Sequence, residues 1–151
     1  MQLTSPALFE KFGITRDTGE IIFCEYEPGD SFYIIVKGKI KIVKVVKEKE
    51  KTLDILEDSD IFGEMAILEH APRSASAISI THTKLLQFTR ENFEVLLKSD
   101  PALAFKLLRI FAKRIYDAKR RLKILALDDE PARVADVFLM LSENKGVLPD
   151  L

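Results

Sequence analysis

The stretch from Phe62 to Ala75 is denser in functional side chains than a connection between two strands needs: Phe62-Gly63-Glu64-Met65-Ala66-Ile67-Leu68-Glu69-His70-Ala71-Pro72-Arg73-Ser74-Ala75. Gly63 permits a close backbone approach at the start of a single predicted helical turn, Glu64–Leu68. The free N–H groups of such a turn form a site for an anion. Arg73 follows nine residues after Glu64, on a loop stiffened by Pro72, and enters an otherwise apolar strand. A guanidinium fork placed there grips a phosphate bidentately. Glu64 cannot serve the same anion, but its carboxylate accepts from a sugar hydroxyl. Phosphate donors beside a hydroxyl acceptor describe a nucleotide site that uses no metal. The plainer reading of the same pair is a structural ion bridge across a loop.

A frame must hold these residues in place. The 151 residues, 47% hydrophobic and 31% charged, make one domain with an appendage. A helix is predicted over 5–13, with Ser5 as cap, Pro6 in the first turn and Gly13 at the end. From about 20 to 88 the pattern has period two. Ile34, Val36, Gly38, Ile40 and Ile42 are expected on one strand face, with Lys37, Lys39 and Lys41 on the other. Pro28-Gly29-Asp30 predicts a turn in which Gly29 supplies a positive φ. Lys47–Lys51 carries no apolar residue and predicts a solvated hairpin tip between strands Ile42–Val46 and Thr52–Leu56. Further strands are expected near 75–80 and 83–88. Seven or eight short strands punctuated in this way predict a sandwich, barrel or jelly roll.

After Thr89 the period becomes helical. Thr89 is placed to cap a helix over Glu91–Lys98, and Asp100-Pro101 to open a longer one running to about Leu127. On it Leu108, Phe111, Ile115, Ala118, Leu122 and Leu125 are spaced alternately by three and four, a heptad seam that predicts pairing with a second copy. Leu103, Leu107 and Ile110 form a second stripe, expected to pack on the β-domain. Residues 103–123 also hold eight Lys or Arg against Asp117 alone, whereas positions 1–100 hold 13 basic and 17 acidic residues. A solvated coiled-coil flank accounts for the basic helix better than nucleic-acid contact does. Asp128–Pro131 predicts a hinge. A last amphipathic helix over 131–141, with Val134, Val137, Phe138 and Leu141 on one face, has nothing further to pack on, so the native protein is expected to continue.

Several chemistries are excluded. Cys24 is the single cysteine, read as a small core residue, which rules out a disulfide framework and a cysteine metal cluster; His70 and His82 are too few for a three-histidine metal site. The net charge of −1 predicts neither a nucleic-acid partner nor an anionic membrane. No apolar run spans a bilayer, and the first twelve residues lack a basic start and an apolar core, so a cytoplasmic protein is expected.

Gly63-Glu64 followed by Pro72-Arg73-Ser74-Ala75 resembles the phosphate-binding cassette of cyclic-nucleotide-binding domains. Pro28-Gly29-Asp30, Phe32–Lys39 and Asp60–Glu64 agree with it, and the long helix with its hinge resembles the dimerisation helix of bacterial CRP/FNR-type transcription regulators. The resemblance implies a mainly β fold with flanking helices. A double-stranded β-helix (jelly roll) would occupy 1–99, the dimerisation helix 100–128, and the hinge and first helix of a DNA-binding effector domain 129–151. It further implies reversible, non-catalytic binding of cAMP or cGMP, without a metal. Glu64 would accept from the ribose 2′-OH, and Arg73 would neutralise the cyclic phosphate. The backbone of Gly63, Met65 and Ala66 and the hydroxyl of Ser74 would add donors, while Ile42 and Leu53 would line the base pocket. Ala118 and Lys119 match the positions at which cAMP-dependent members place hydroxyl residues against adenine, which leaves the base preference open. The implied partner is a second copy through the heptad seam; DNA would be met only by the remainder of the C-terminal domain, and no membrane is implied. Two alternatives share the fold: a dimerisation module without ligand, and a haem sensor using His70. A cupin-type enzyme would need two or three histidines and a carboxylate on facing strands, which the sequence does not supply.

Overall fold

A computed structural model describes residues 4–125. Helix α1 (Pro6–Phe12) leads into β1 (Gly13–Arg16), β2 (Ile21–Phe23), β3 (Ser31–Lys37), β4 (Ile40–Val46), β5 (Lys49–Leu56) and β6 (Ile61–Phe62). The single turn α2 (Met65–Leu68) precedes β7 (Ser76–Ser79) and β8 (Thr83–Thr89), and helices α3 (Arg90–Ser99) and α4 (Pro101–Leu125) follow. The strands form two antiparallel four-stranded sheets, ordered β1-β8-β3-β6 and β2-β7-β4-β5. The mainly β architecture with flanking helices is thus present.

The chain changes sheet between β3 and β4, at Gly38, whose φ is +121°. The expected stripe from Ile34 to Ile42 is therefore not one face. Tyr33 and Ile35 point into the sandwich with Ile40, Leu56, Phe62, Ala77 and Leu85. Phe32, on the opposite face of β3, stacks with Phe88 at 5.3 Å and meets Phe93 of α3 edge-on at 5.2 Å, while Phe12 of α1 lies 4.9 Å from Phe88. Residues 31–35 are all buried because this sheet is covered on both faces, so alternation is lost there.

Two expected turns fall elsewhere. Gly29 has no positive φ; the turn lies at Cys24–Glu27, closed by Glu27 N–H donating to Cys24 O at 3.2 Å, and Tyr26 takes the left-handed conformation at φ 71°. Cys24 stands half-buried at the end of β2. The hairpin tip shrinks to Lys47-Glu48, both left-handed, because β5 begins at Lys49 and pairs Lys49 with Val46.

The helix caps follow expectation. Thr89 Oγ1 accepts from Asn92 N–H at 3.2 Å, and Asp100 Oδ1 from Leu103 N–H at 3.1 Å. Ser5 precedes α1 without a side-chain cap bond. The described chain divides into two units, with the division between Leu103 and Ala104. In the second unit, Leu108, Ile115, Ala118 and Leu122 of α4 are exposed, Phe111 is half-buried, and Ala104 and Leu107 are buried, as is Leu103 at the end of the first unit. The expected hinge and the helix over 131–141 lie outside the described residues, as does the side chain of Leu125. Among the described residues no helix is long and apolar enough to cross a membrane.

Candidate functional site

The site is built on the segment after β6, which pairs with β3 through Tyr33 and Phe62. Gly63 turns the chain with φ +79°. Glu64, buried at 8% exposure, starts the single turn; its carbonyl accepts from Ile67 and Leu68 N–H at 3.1 and 3.0 Å. His70, at φ 52°, ends it, and 71–73 return to β7. The first N–H groups of such a turn have no acceptor within the turn itself.

Arg73 is the centre of the arrangement. Its backbone is clamped to the Cys24–Glu27 turn: Arg73 N–H donates to Glu27 O at 2.8 Å, and Tyr26 N–H donates to Arg73 O at 2.9 Å. Its side chain is 5% exposed. Nη1 donates to Gly63 O at 2.8 Å and Nη2 to Ser31 O at 2.7 Å. The guanidinium lies over the Phe23 ring at 4.1 Å from its centroid and 5.9 Å from that of Tyr33. Its Nε–H is buried and has no hydrogen-bond partner. Burial pulls the Arg73 pKa down, against the opposing fields of Tyr33, Asp30, Glu27 and Glu64. Burial likewise pushes the Tyr33 phenol up, opposed by Arg73 and Arg16. A buried cation with an unused donor is a receptor for an anion.

The fold brings Gly63, Glu64, Met65, Ala66, Arg73 and Ser74 together in one segment. Among these, Arg73 donates directly to Gly63 O; Met65 and Ser74 are exposed. Ile42 and Leu53 lie on the second sheet, in the β4–β5 pair. Ile42 is half-buried against the core, while Leu53 stands at a register shift with 56% exposure. Ala118 and Lys119 are exposed on α4, in the second unit. His70 Nε2 accepts from Arg90 Nη1 at 2.6 Å. Sequence reasoning missed Phe23, Ser31 and Tyr33. All three sit in or beside strands and read as ordinary core positions, and only their distances to the guanidinium give them a role.

Residues 15–100 match the sequence model described as the cyclic nucleotide-binding domain. The chain belongs to the cyclic nucleotide-binding domain family. It is 36% identical, over 129 residues, to the CRP-like cAMP-activated global transcriptional regulator of Mycobacterium tuberculosis, a match that covers 85% of this chain and 58% of that protein. The catabolite activator protein of Thermus thermophilus superposes with a TM-score of 0.65 at 29% identity, covering 81% of this chain and 60% of that one. The EAL enzyme Bd1971 in its cAMP-bound form gives a TM-score of 0.53 at 31% identity, over 74% of this chain and 30% of that one. CRP-like regulators are thus among the relatives of this domain, and the chain spans less than two thirds of the length of the regulators it matches.

Proposed function

We propose that the domain reversibly binds a 3′,5′-cyclic mononucleotide, cAMP ahead of cGMP, as the sensor of a CRP-like transcription regulator. The observation that carries this reading is Arg73, a buried guanidinium whose Nε–H has no partner. A singly charged cyclic phosphate supplies the missing acceptor and the missing charge. Gly63, Met65 and Ala66 add backbone N–H groups and Ser74 its hydroxyl, Glu64 accepts from the ribose 2′-OH, and Ile42 and Leu53 flank the base. The order of preference rests on the mycobacterial relative, a cAMP-activated regulator; the Bd1971 enzyme has both a cAMP-bound and a cGMP-bound form.

In this reading, residues 1–99 are the sensor, 100–128 the dimerisation helix, and 129–151 the hinge and the start of a DNA-binding effector in a cytoplasmic regulator. Ala118 and Lys119 are the positions of α4 assigned to the base. Two copies pair through Leu108, Phe111, Ile115, Ala118, Leu122 and Leu125. Ligand shifts the helix and hinge only by its differential affinity for the two arrangements. No catalytic residue is assigned. Calorimetric titration of cAMP, and separately cGMP, into protein freed of bound nucleotide tests the reading. Saturation near one ligand per chain is expected; no heat with either overturns it.

A further inference from the structure

Tyr26 is a residue out of place. It holds the left-handed conformation, φ 71°, at the third position of the Cys24–Glu27 turn, where glycine is the unstrained choice. Its side chain is 77% exposed, so no burial repays the strain. The turn is nonetheless held on both sides. Toward the cassette, it exchanges two backbone hydrogen bonds with Arg73. On the other side, Glu25 Oε2 accepts from Val45 N–H of β4 at 3.3 Å, its Oε1 lies 3.8 Å from Lys44 Nζ, and Glu25 N–H donates to Ser76 Oγ at 2.8 Å. The turn therefore bridges the loop segment carrying the buried guanidinium and β4, three residues along from Ile42. Strained residues persist only where the surrounding structure over-determines them, and they cluster at ligand sites.

We infer that Tyr26 is a base-stacking residue of the nucleotide site, its ring meeting the purine while Arg73 holds the phosphate. This deepens the cyclic-nucleotide reading and rests on it. Two probes separate the roles: cAMP, and ribose 3′,5′-cyclic phosphate, which has the same anion and sugar but no base. Tyr26→Ala is expected to weaken cAMP binding roughly tenfold, the loss of one stacked base, and to leave ribose cyclic phosphate unaffected. Tyr26→Phe retains the wild-type affinity for both. Tyr26→Gly raises the thermal midpoint of the free protein, because it relieves the strained φ, yet binds cAMP as weakly as Tyr26→Ala. Unchanged cAMP affinity in Tyr26→Gly, or an equal loss for both probes in Tyr26→Ala, overturns the stacking role while the cyclic-nucleotide reading stands. Failure of the wild-type chain to bind either probe overturns both.

Discussion

Gly63→Ala tests how firmly the fold pins the guanidinium. Two terms contribute. The first is conformational: at φ +79° an alanine sits in the left-handed region, which costs about 1–2 kcal/mol. The second is steric. A Cβ at Gly63 lies 2.7 Å from Arg73 Nη1, 3.3 Å from Phe23 Cε1 and 3.4 Å from Ser31 O. A guanidinium in solvent would swing aside. This one is 5% exposed, and it is held by Ser31 O and the Phe23 ring, so moving it breaks the bond to Gly63 O. A hydrogen bond from a charged group contributes about 1.5–3 kcal/mol. The sum is about 2.5–5 kcal/mol, or very roughly 5–20 °C in thermal midpoint for a chain of this length. Gly19 supplies the control, since it has φ +86° and nothing within 4 Å of an added Cβ. Gly19→Ala should lose only the conformational term, about 1–2 kcal/mol. Thermal unfolding of both variants isolates the steric term as their difference, and calorimetry should show Gly63→Ala binding cAMP about 10–100-fold more weakly through the displaced Arg73. Equal losses of stability, with cAMP affinity intact in Gly63→Ala, would falsify the pinning argument.

Thr89→Ala removes the cap acceptor for Asn92 N–H and is expected to lower stability by about 1 kcal/mol in urea unfolding; no change would mean that solvent replaces the cap. Replacing Leu108 and Ile115, both more than half exposed on α4, with glutamate should leave the β-domain folded and yield monomers by light scattering. An unchanged mass sinks the seam assignment. Arg73→Gln keeps a donor for one of the two carbonyls and removes the buried charge, so cAMP binding should be lost while the midpoint of the free protein falls by no more than in Gly63→Ala; a larger fall would mean that the cation is structural.

Much of this was legible because local rules and tertiary context agree. Thr89, Asp100 and Pro101 predict helix starts from side-chain chemistry alone, and the helices begin there. The cassette was legible for a different reason: Gly63-Glu64 with Pro72-Arg73-Ser74-Ala75 resembles the family's pattern over its whole length, whereas the acid and arginine alone read as a structural ion bridge. The failures have physical causes. The strand stripe broke at Gly38 because β3 is buried on both faces and β4 belongs to the other sheet, and period two identifies neither fact. The turn fell at Tyr26 rather than Gly29 because two hydrogen bonds to Arg73 outweigh a residue's own φ preference. Such bonds link positions almost fifty residues apart, and no local pattern carries them. Phe23, Ser31 and Tyr33 stayed invisible as site residues for the same reason.

The energetics of Arg73 join the fold to its use. Arginine stays charged at any pH at which the chain is folded, so its lowered pKa opens no pH window; it reports that the free protein holds the cation at a disadvantage. Two carbonyl dipoles and an aromatic face offset part of the desolvation, and the Nε–H remains unmet. A residue selected for stability alone would be apolar at this depth. In the proposed sensor, folding has already stripped water from the guanidinium and fixed its orientation, so an incoming phosphate would meet a preorganised donor in a medium that strengthens their attraction. The deficit in the free state thereby becomes affinity in the bound one. By linkage, cyclic nucleotide at a hundred times its Kd adds about 2.7 kcal/mol to the folded state. In that reading, the cradle that holds the cation desolvated in the empty domain is the means by which ligand would stabilise the fold.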